Sequence, residues 1–157
     1  MLPPLRLNNK FTSFLVIFSC GFGFFTITHF PKIIPSFAHT VEVSGNVAAT
    51  FHLEPDHNPK AGETSQVWFA LTRKGGEIIP LSKCECQLFI YTEPRKETDQ
   101  PLMTPELLPI SAEKYQGIPG SNVVFPAIGQ YKLELVGTPK NNNDFQPFKF
   151  TYSVTVR

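Results

Sequence analysis

VEVSGNVAATFHLE, residues 41–54, is the stretch that decides the fold. Val41, Val43, Val47, Ala49, Phe51 and Leu53 occupy odd positions, while Glu42, Ser44, Asn46, Thr50, His52 and Glu54 fill the even ones. A helix would scatter these apolar side chains around its axis, whereas a strand puts them on one face. The spacing predicts one long strand over 41–53, with Gly45 as a bulge or kink.

The same period of two recurs downstream. Val67, Phe69 and Leu71 alternate with Gln66, Trp68, Ala70 and Thr72; Cys86, Leu88 and Ile90 alternate with Gln87, Phe89 and Tyr91. Tyr131, Leu133 and Leu135, then Phe148, Phe150, Tyr152, Val154 and Val156, repeat it. Shorter runs at 77–80 and 122–125 add two strands. Turn residues punctuate the runs at 59–62, 74–76, 119–120 and 139–144. This pattern predicts an all-β fold, an immunoglobulin-like antiparallel β-sandwich of about seven strands. Gly129-Gln130-Tyr131 opens a late strand, where such sandwiches place a tyrosine corner. Residues 92–121 hold five prolines and no sustained alternation, and read as a long crossover between sheets with a helical turn around 105–108. Trp68 and Phe89 fall opposite their strands' main apolar set, which suggests packing beneath that crossover rather than an exposed patch.

Upstream of the domain the chemistry changes. Residues 1–38 contain Arg6, Lys10 and Lys32 and no acid, and they hold eight of the 15 Phe. The remaining 11 basic residues face 13 acidic ones, a net charge of −2 on residues 39–157. Residues 11–27 carry no charge and follow a short basic start. Ser36-Phe37-Ala38 then supplies small residues at −3 and −1, so residues 1–38 read as a signal peptide cleaved between Ala38 and His39. The competing reading is an uncleaved membrane anchor over residues 11–30, held by Arg6 and Lys10 with its N-terminus inside. Acylation of Cys20 fits less well, because Phe18 and the apolar residues after Cys20 do not suit a lipoprotein. Cleaved or anchored, the domain at 39–157 is expected outside the cytoplasm, in a periplasm or lumen, with membrane contact only through an uncleaved leader. Its mildly acidic balance argues against nucleic acid, which requires a basic surface.

With the strands placed, the domain resembles small exported immunoglobulin-like proteins of the YtkA-like and FixH-like type, in a variant that looks like one of photosynthetic bacteria. The residues that carry the resemblance are Ala61-Gly62-Glu63 leading into 67–72, Lys74-Gly75-Gly76-Glu77 leading to Pro80, Phe125-Pro126, and Gly129 to Leu133. Together with CopC-like copper carriers, such proteins imply an extracytoplasmic sandwich without catalysis, some of them binding copper. The Met-rich and His-rich copper motifs of those carriers are absent, and Met103 is the only Met after residue 38.

Three features offer metal ligands. Cleavage after Ala38 would make His39 the N-terminal residue, whose α-amine and ring nitrogen suit Cu(II). His52 and His57 flank Pro55, whose turn would let the rings converge with Glu54 or Asp56 nearby. His39 and His52 would stand about 43 Å apart on one straight strand, too far to share an ion unless the chain folds back near Gly45. A solvated His on the polar face is the plainer reading of His52. Finally, Cys84 and Cys86 lie on one face of a strand. They form a disulfide, with a bend relieving the roughly 6.6–7 Å Cα spacing of an extended pair, or two thiolates for Cu(I) or redox chemistry. No G-x-S-x-G, H-E-x-x-H or phosphate-binding glycine loop is present. The expected activity is non-enzymatic: metal handling, copper above all, or service as an accessory module for an unknown protein partner of an envelope complex.

Overall fold

The computed structural model describes residues 40–141 and 144–157, which form an all-β sandwich of two antiparallel sheets. The strands are β1 (Thr40–Ser44), β2 (Val47–Glu54), β3 (Thr64–Arg73), β4 (Cys84–Thr92), β5 (Leu108–Ala112), β6 (Tyr115–Val124), β7 (Gly129–Pro139) and β8 (Phe148–Val156). The five-stranded sheet runs β1-β2-β3-β6-β5 and the three-stranded sheet β4-β7-β8. A 3-10 turn at Leu81–Lys83 leads into β4. Among the described residues no helix is long and apolar enough to cross a membrane. The leader, its cleavage site at Ala38 and His39, and the anchor reading of residues 11–30 lie outside the described residues.

The two inner faces meet in a core built from the alternating residues. Val47, Ala49, Phe51 and Leu53 of β2 and Val67, Phe69 and Leu71 of β3 face Leu88, Ile90, Leu133, Leu135, Phe150 and Val154 of the other sheet. Phe51 stacks on Tyr152 across the gap, with ring centroids 4.5 Å apart. Each large side chain removed from water in this way contributes on the order of 1.5–3 kcal/mol.

Four sequence expectations need correction, and one is the turn read at 119–120: Pro119 and Gly120 lie inside strand β6. The run 41–53 is a hairpin, because Gly45 and Asn46 form a two-residue turn between β1 and β2 and Ser44 pairs with Val47. Gly45 has φ 61°, the left-handed conformation that hairpin turns of this length place on glycine. Residues directly opposite in an antiparallel pair share a face, and Val43 stands opposite Ala48, Val41 opposite Thr50. The odd residues of β1 therefore join the even residues of β2 on the outer face. Val41 and Val43 are 59% and 73% exposed, although they continue the core pattern in sequence.

The run 77–80 makes only an isolated bridge, Thr72 to Ile78, so it adds no strand. Finally, residues 92–121 cross between the sheets only up to about Leu107. Beyond that they form the β5–β6 hairpin, and 105–108 carries no helical turn. Pro109 and Pro119 stand opposite each other in that ladder. β5 is an edge strand, and the β3–β6 pairing ends at Gly120, so neither proline is asked for a donor to a third strand. The prolines hid a hairpin that the sheet edge accommodates.

Two buried tyrosines differ in what their hydroxyls meet. The Tyr131 hydroxyl donates to the Ala127 carbonyl at 2.8 Å and accepts from the Ala127 N–H at 3.3 Å, a tyrosine corner. Tyr131→Phe leaves two backbone groups without that partner and is expected to cost about 1–3 kcal/mol in urea unfolding. Tyr152 behaves oppositely. It is buried, and its hydroxyl has no hydrogen-bond partner among the described residues. Burial pushes this hydroxyl well above the usual tyrosine range, and the Glu42 carboxylate adds to the push. The folded chain then keeps a proton that the unfolded chain releases above about pH 10, so stability falls as pH rises past that point. Thermal melts of Tyr152→Phe should show stability equal to or above wild type at neutral pH and a shallower loss on the alkaline side.

Candidate functional site

The outer face of the five-stranded sheet carries an aromatic platform. Trp68 on β3 points away from the core and is covered by Ile78, Ile110, Ile118 and Tyr115, which leaves it 1% exposed. The packing expected beneath the 92–121 segment is supplied by its β5–β6 hairpin. Gly120, opposite Trp68 in the ladder, makes room, since a Cβ there would run into Ile110 and stand 3.2 Å from the Val67 carbonyl.

His52 lies opposite Trp68 in the β2–β3 ladder and stacks on its indole, with centroids 4.6 Å apart and planes 11° from parallel. Its Nε2 is 2.9 Å from Glu54 Oε1. These two side chains share a face because they are two residues apart on one strand.

After Glu54 the chain turns tightly. His57 N–H donates to the Leu53 carbonyl at 2.8 Å and Asn58 N–H to the Pro55 carbonyl at 3.0 Å. Asp56 and His57 both take left-handed φ, 53° and 52°. This turn folds His57 back onto the sheet end, edge-on to His52 with centroids 4.5 Å apart and 5.7 Å from the Phe51 ring. The convergence expected from Pro55 is thus realised: two imidazoles and the Glu54 carboxylate meet at one corner. Asp56 is exposed on the turn.

Among the described residues, no group of three or more His, Cys, Asp or Glu side chains is arranged to hold a metal ion. His39 lies outside the described residues. The straight-strand separation that set it apart from His52 does not hold, because the chain folds back at Gly45 and Thr40 pairs with Phe51.

The cysteines are in another place. Cys84 and Cys86 are bonded to each other on β4, with Cα atoms 5.3 Å apart, closer than a fully extended pair. They belong to the three-stranded sheet, so the structure does not bring them to the histidine corner. Bonded in this way, they present no thiolate to a soft ion.

A groove of about 690 Å³ opens beside the same corner, where β1 and β2 approach β8. Glu42, Phe51, His57, Asn58, Tyr152 and Arg157 are among the residues that line it. Glu42 spans the gap and accepts a 3.3 Å hydrogen bond from the Thr151 N–H on β8. The alternation of 41–53 gave no hint of this role, because it assigned Glu42 to the solvent face of a single strand.

The outer face of the three-stranded sheet carries charge instead. Glu134, 5% exposed, pairs with Arg95 and, at 2.7 Å, with Lys149. Arg95 also lies 3.9 Å above the Tyr91 ring. Glu93 pairs with Lys132 at 2.8 Å, and that hydrogen bond is the main reason its carboxyl titrates below the usual range.

No protein-family model and no curated protein matches the chain. Among solved structures, FetP of a uropathogenic Escherichia coli strain, recombinantly expressed in the E. coli periplasm, superposes with a TM-score of 0.52 at 14% identity. The match covers 75% of this chain and 93% of that one. A copper-bound glutamate-to-glutamine variant of FetP gives a TM-score of 0.53 at 13% identity, over 75% and 94% of the two chains. At these identities the likeness is one of fold: this chain shares an immunoglobulin-like sandwich with FetP.

Proposed function

We propose that this protein is an exported, non-enzymatic β-sandwich that binds copper at the His52–His57 corner. The observation that carries the reading is the meeting of the two imidazoles, 4.5 Å apart, with Glu54 Oε1 2.9 Å from His52 Nε2. Nitrogen donors with a carboxylate fit Cu(II) in kind. A further ligand is needed, and His39 is the proposed source. The β1–β2 ladder is described to Thr40, which stands opposite Phe51, the neighbour of His52. Cleavage after Ala38 would then add a free α-amine to the ring nitrogen. The copper-bound FetP neighbour and the resemblance to exported YtkA-like proteins support this reading, as does the leader for a periplasmic or lumenal location.

A second reading, an accessory module for a protein partner, is favoured by Val41 and Val43. Both are exposed on the edge strand β1, where an apolar row invites a partner. Crosslinking in native membranes that recovers one stoichiometric partner, lost in the Val41→Lys, Val43→Lys variant, would support it.

Trp68 is the only Trp in the chain and reports directly on the corner. Because His52 stacks on it, Cu(II) bound by His52 should quench its fluorescence in proportion to occupancy, saturating at one equivalent. His52→Gln and His57→Gln should each weaken the apparent affinity by about tenfold or more, since losing even an outer-shell partner of a ligand costs that much. No quenching at micromolar Cu(II) by protein beginning at His39 would sink the copper reading. A chain that retains residues 1–38 in its native compartment, read by intact mass, should bind more weakly, since it lacks the free amine.

A further inference from the structure

The Cys84–Cys86 bond is a poor structural staple. It closes a loop of only three residues, and the chain entropy a disulfide removes from the unfolded state is least for the shortest loops. The segment it spans is already held by the continuous β4–β7 ladder from Cys84 opposite Pro139 to Thr92 opposite Tyr131. Its two residues also differ in burial. Cys84 is fully buried, whereas Cys86 is partly exposed and lines a surface cleft of about 510 Å³ with Gly137, Pro147 and Phe148.

The surroundings keep Cys86 reachable. β4 is an edge strand. Met103 covers that edge only near Ile90, where it accepts the Ile90 N–H at 2.9 Å. No described backbone group bonds along the edge beside Cys86. Gly137, opposite Cys86 in the ladder, holds the arrangement open from the other side. A Cβ on it would collide with the Phe148 ring and stand 2.8 Å from the Cys84 sulfur.

We propose that Cys84 and Cys86 form a thiol–disulfide exchange site that accepts two electrons from a dithiol. The thiolate of the dithiol attacks the sulfur of the partly exposed Cys86, the Cys84–Cys86 bond breaks, and Cys84 leaves as a thiolate that takes up a proton in its buried position. The second thiolate of the dithiol then attacks its own sulfur in the mixed disulfide and releases Cys86, which is protonated in turn. The dithiol ends as a disulfide, and Cys84 and Cys86 end as two thiols, with electrons and protons balanced. This activity is independent of the copper reading, and its test is run without metal.

The full chain is equilibrated in glutathione redox buffers under native conditions, and its free thiols are read by alkylation and intact mass. Interconversion of oxidised and reduced protein at millimolar glutathione is the expected result. A disulfide that stays closed there, and opens in dithiothreitol only after unfolding, overturns the proposal. Two single variants test the asymmetry. Cys84→Ser should form a glutathione adduct at Cys86 at least about tenfold faster than Cys86→Ser forms one at Cys84, because reactivity follows access. Equal or reversed rates overturn the assignment of Cys86 as the attacked sulfur. The double variant Cys84→Ser, Cys86→Ser should remain folded by circular dichroism; an unfolded product would mark the bond as structural and also overturn the proposal.

Discussion

The two-residue turn at Gly45 and Asn46 sets the side of the sheet on which every residue of the first hairpin lies. Glycine is required there by its positive φ and by the approach of the Gln146 side chain, and Asn46 Oδ1 accepts the Gln146 N–H at 2.9 Å. Once the turn is made, Phe51 and Leu53 enter the core, His52 stands on Trp68, and Glu42 swings toward β8 to meet the Thr151 N–H. A bulged continuous strand would have kept Val41 and Val43 on the core face and carried residue 40 far from Phe51. The groove beside the histidine corner, lined by Glu42, depends on this reversal.

The sandwich also uses its outer faces, in two different ways. On the five-stranded sheet, Trp68 is sealed by the β5–β6 hairpin in a small apolar layer separate from the main core. On the three-stranded sheet, a buried carboxylate, Glu134, is held between Arg95 and Lys149. A buried ion pair adds little net stability, but losing one partner strands a desolvated charge. The first face therefore supplies a rigid aromatic floor for His52, while the second locks the 93–96 segment onto the sheet.

The proposed copper corner and the proposed exchange site lie on different sheets and draw on different chemistry. One brings imidazoles together through a turn with two left-handed residues; the other is a short-loop disulfide on an edge strand, with Cys86 partly exposed. Their separation lets each be tested with the other intact.

Most of the sandwich was legible in the sequence, because a period of two is a direct consequence of strand geometry. The core faces of β3, β4, β7 and β8 and the tyrosine corner at Tyr131 could be read from spacing alone. The possibility that Pro55 would bring His52 and His57 together was legible as well, since a turn between nearby residues is a local event. Spacing could not reveal the face exchange at Gly45, because alternation runs unbroken through a two-residue turn while the chain reverses. Nor could it reveal the β5–β6 hairpin, whose prolines mask a strand that only an edge position tolerates. The burial of Glu134 and the unequal burial of Cys84 and Cys86 were decided by the tertiary structure alone. Each depends on which distant segment lies across a sheet face, and a residue's neighbours in sequence carry no record of that.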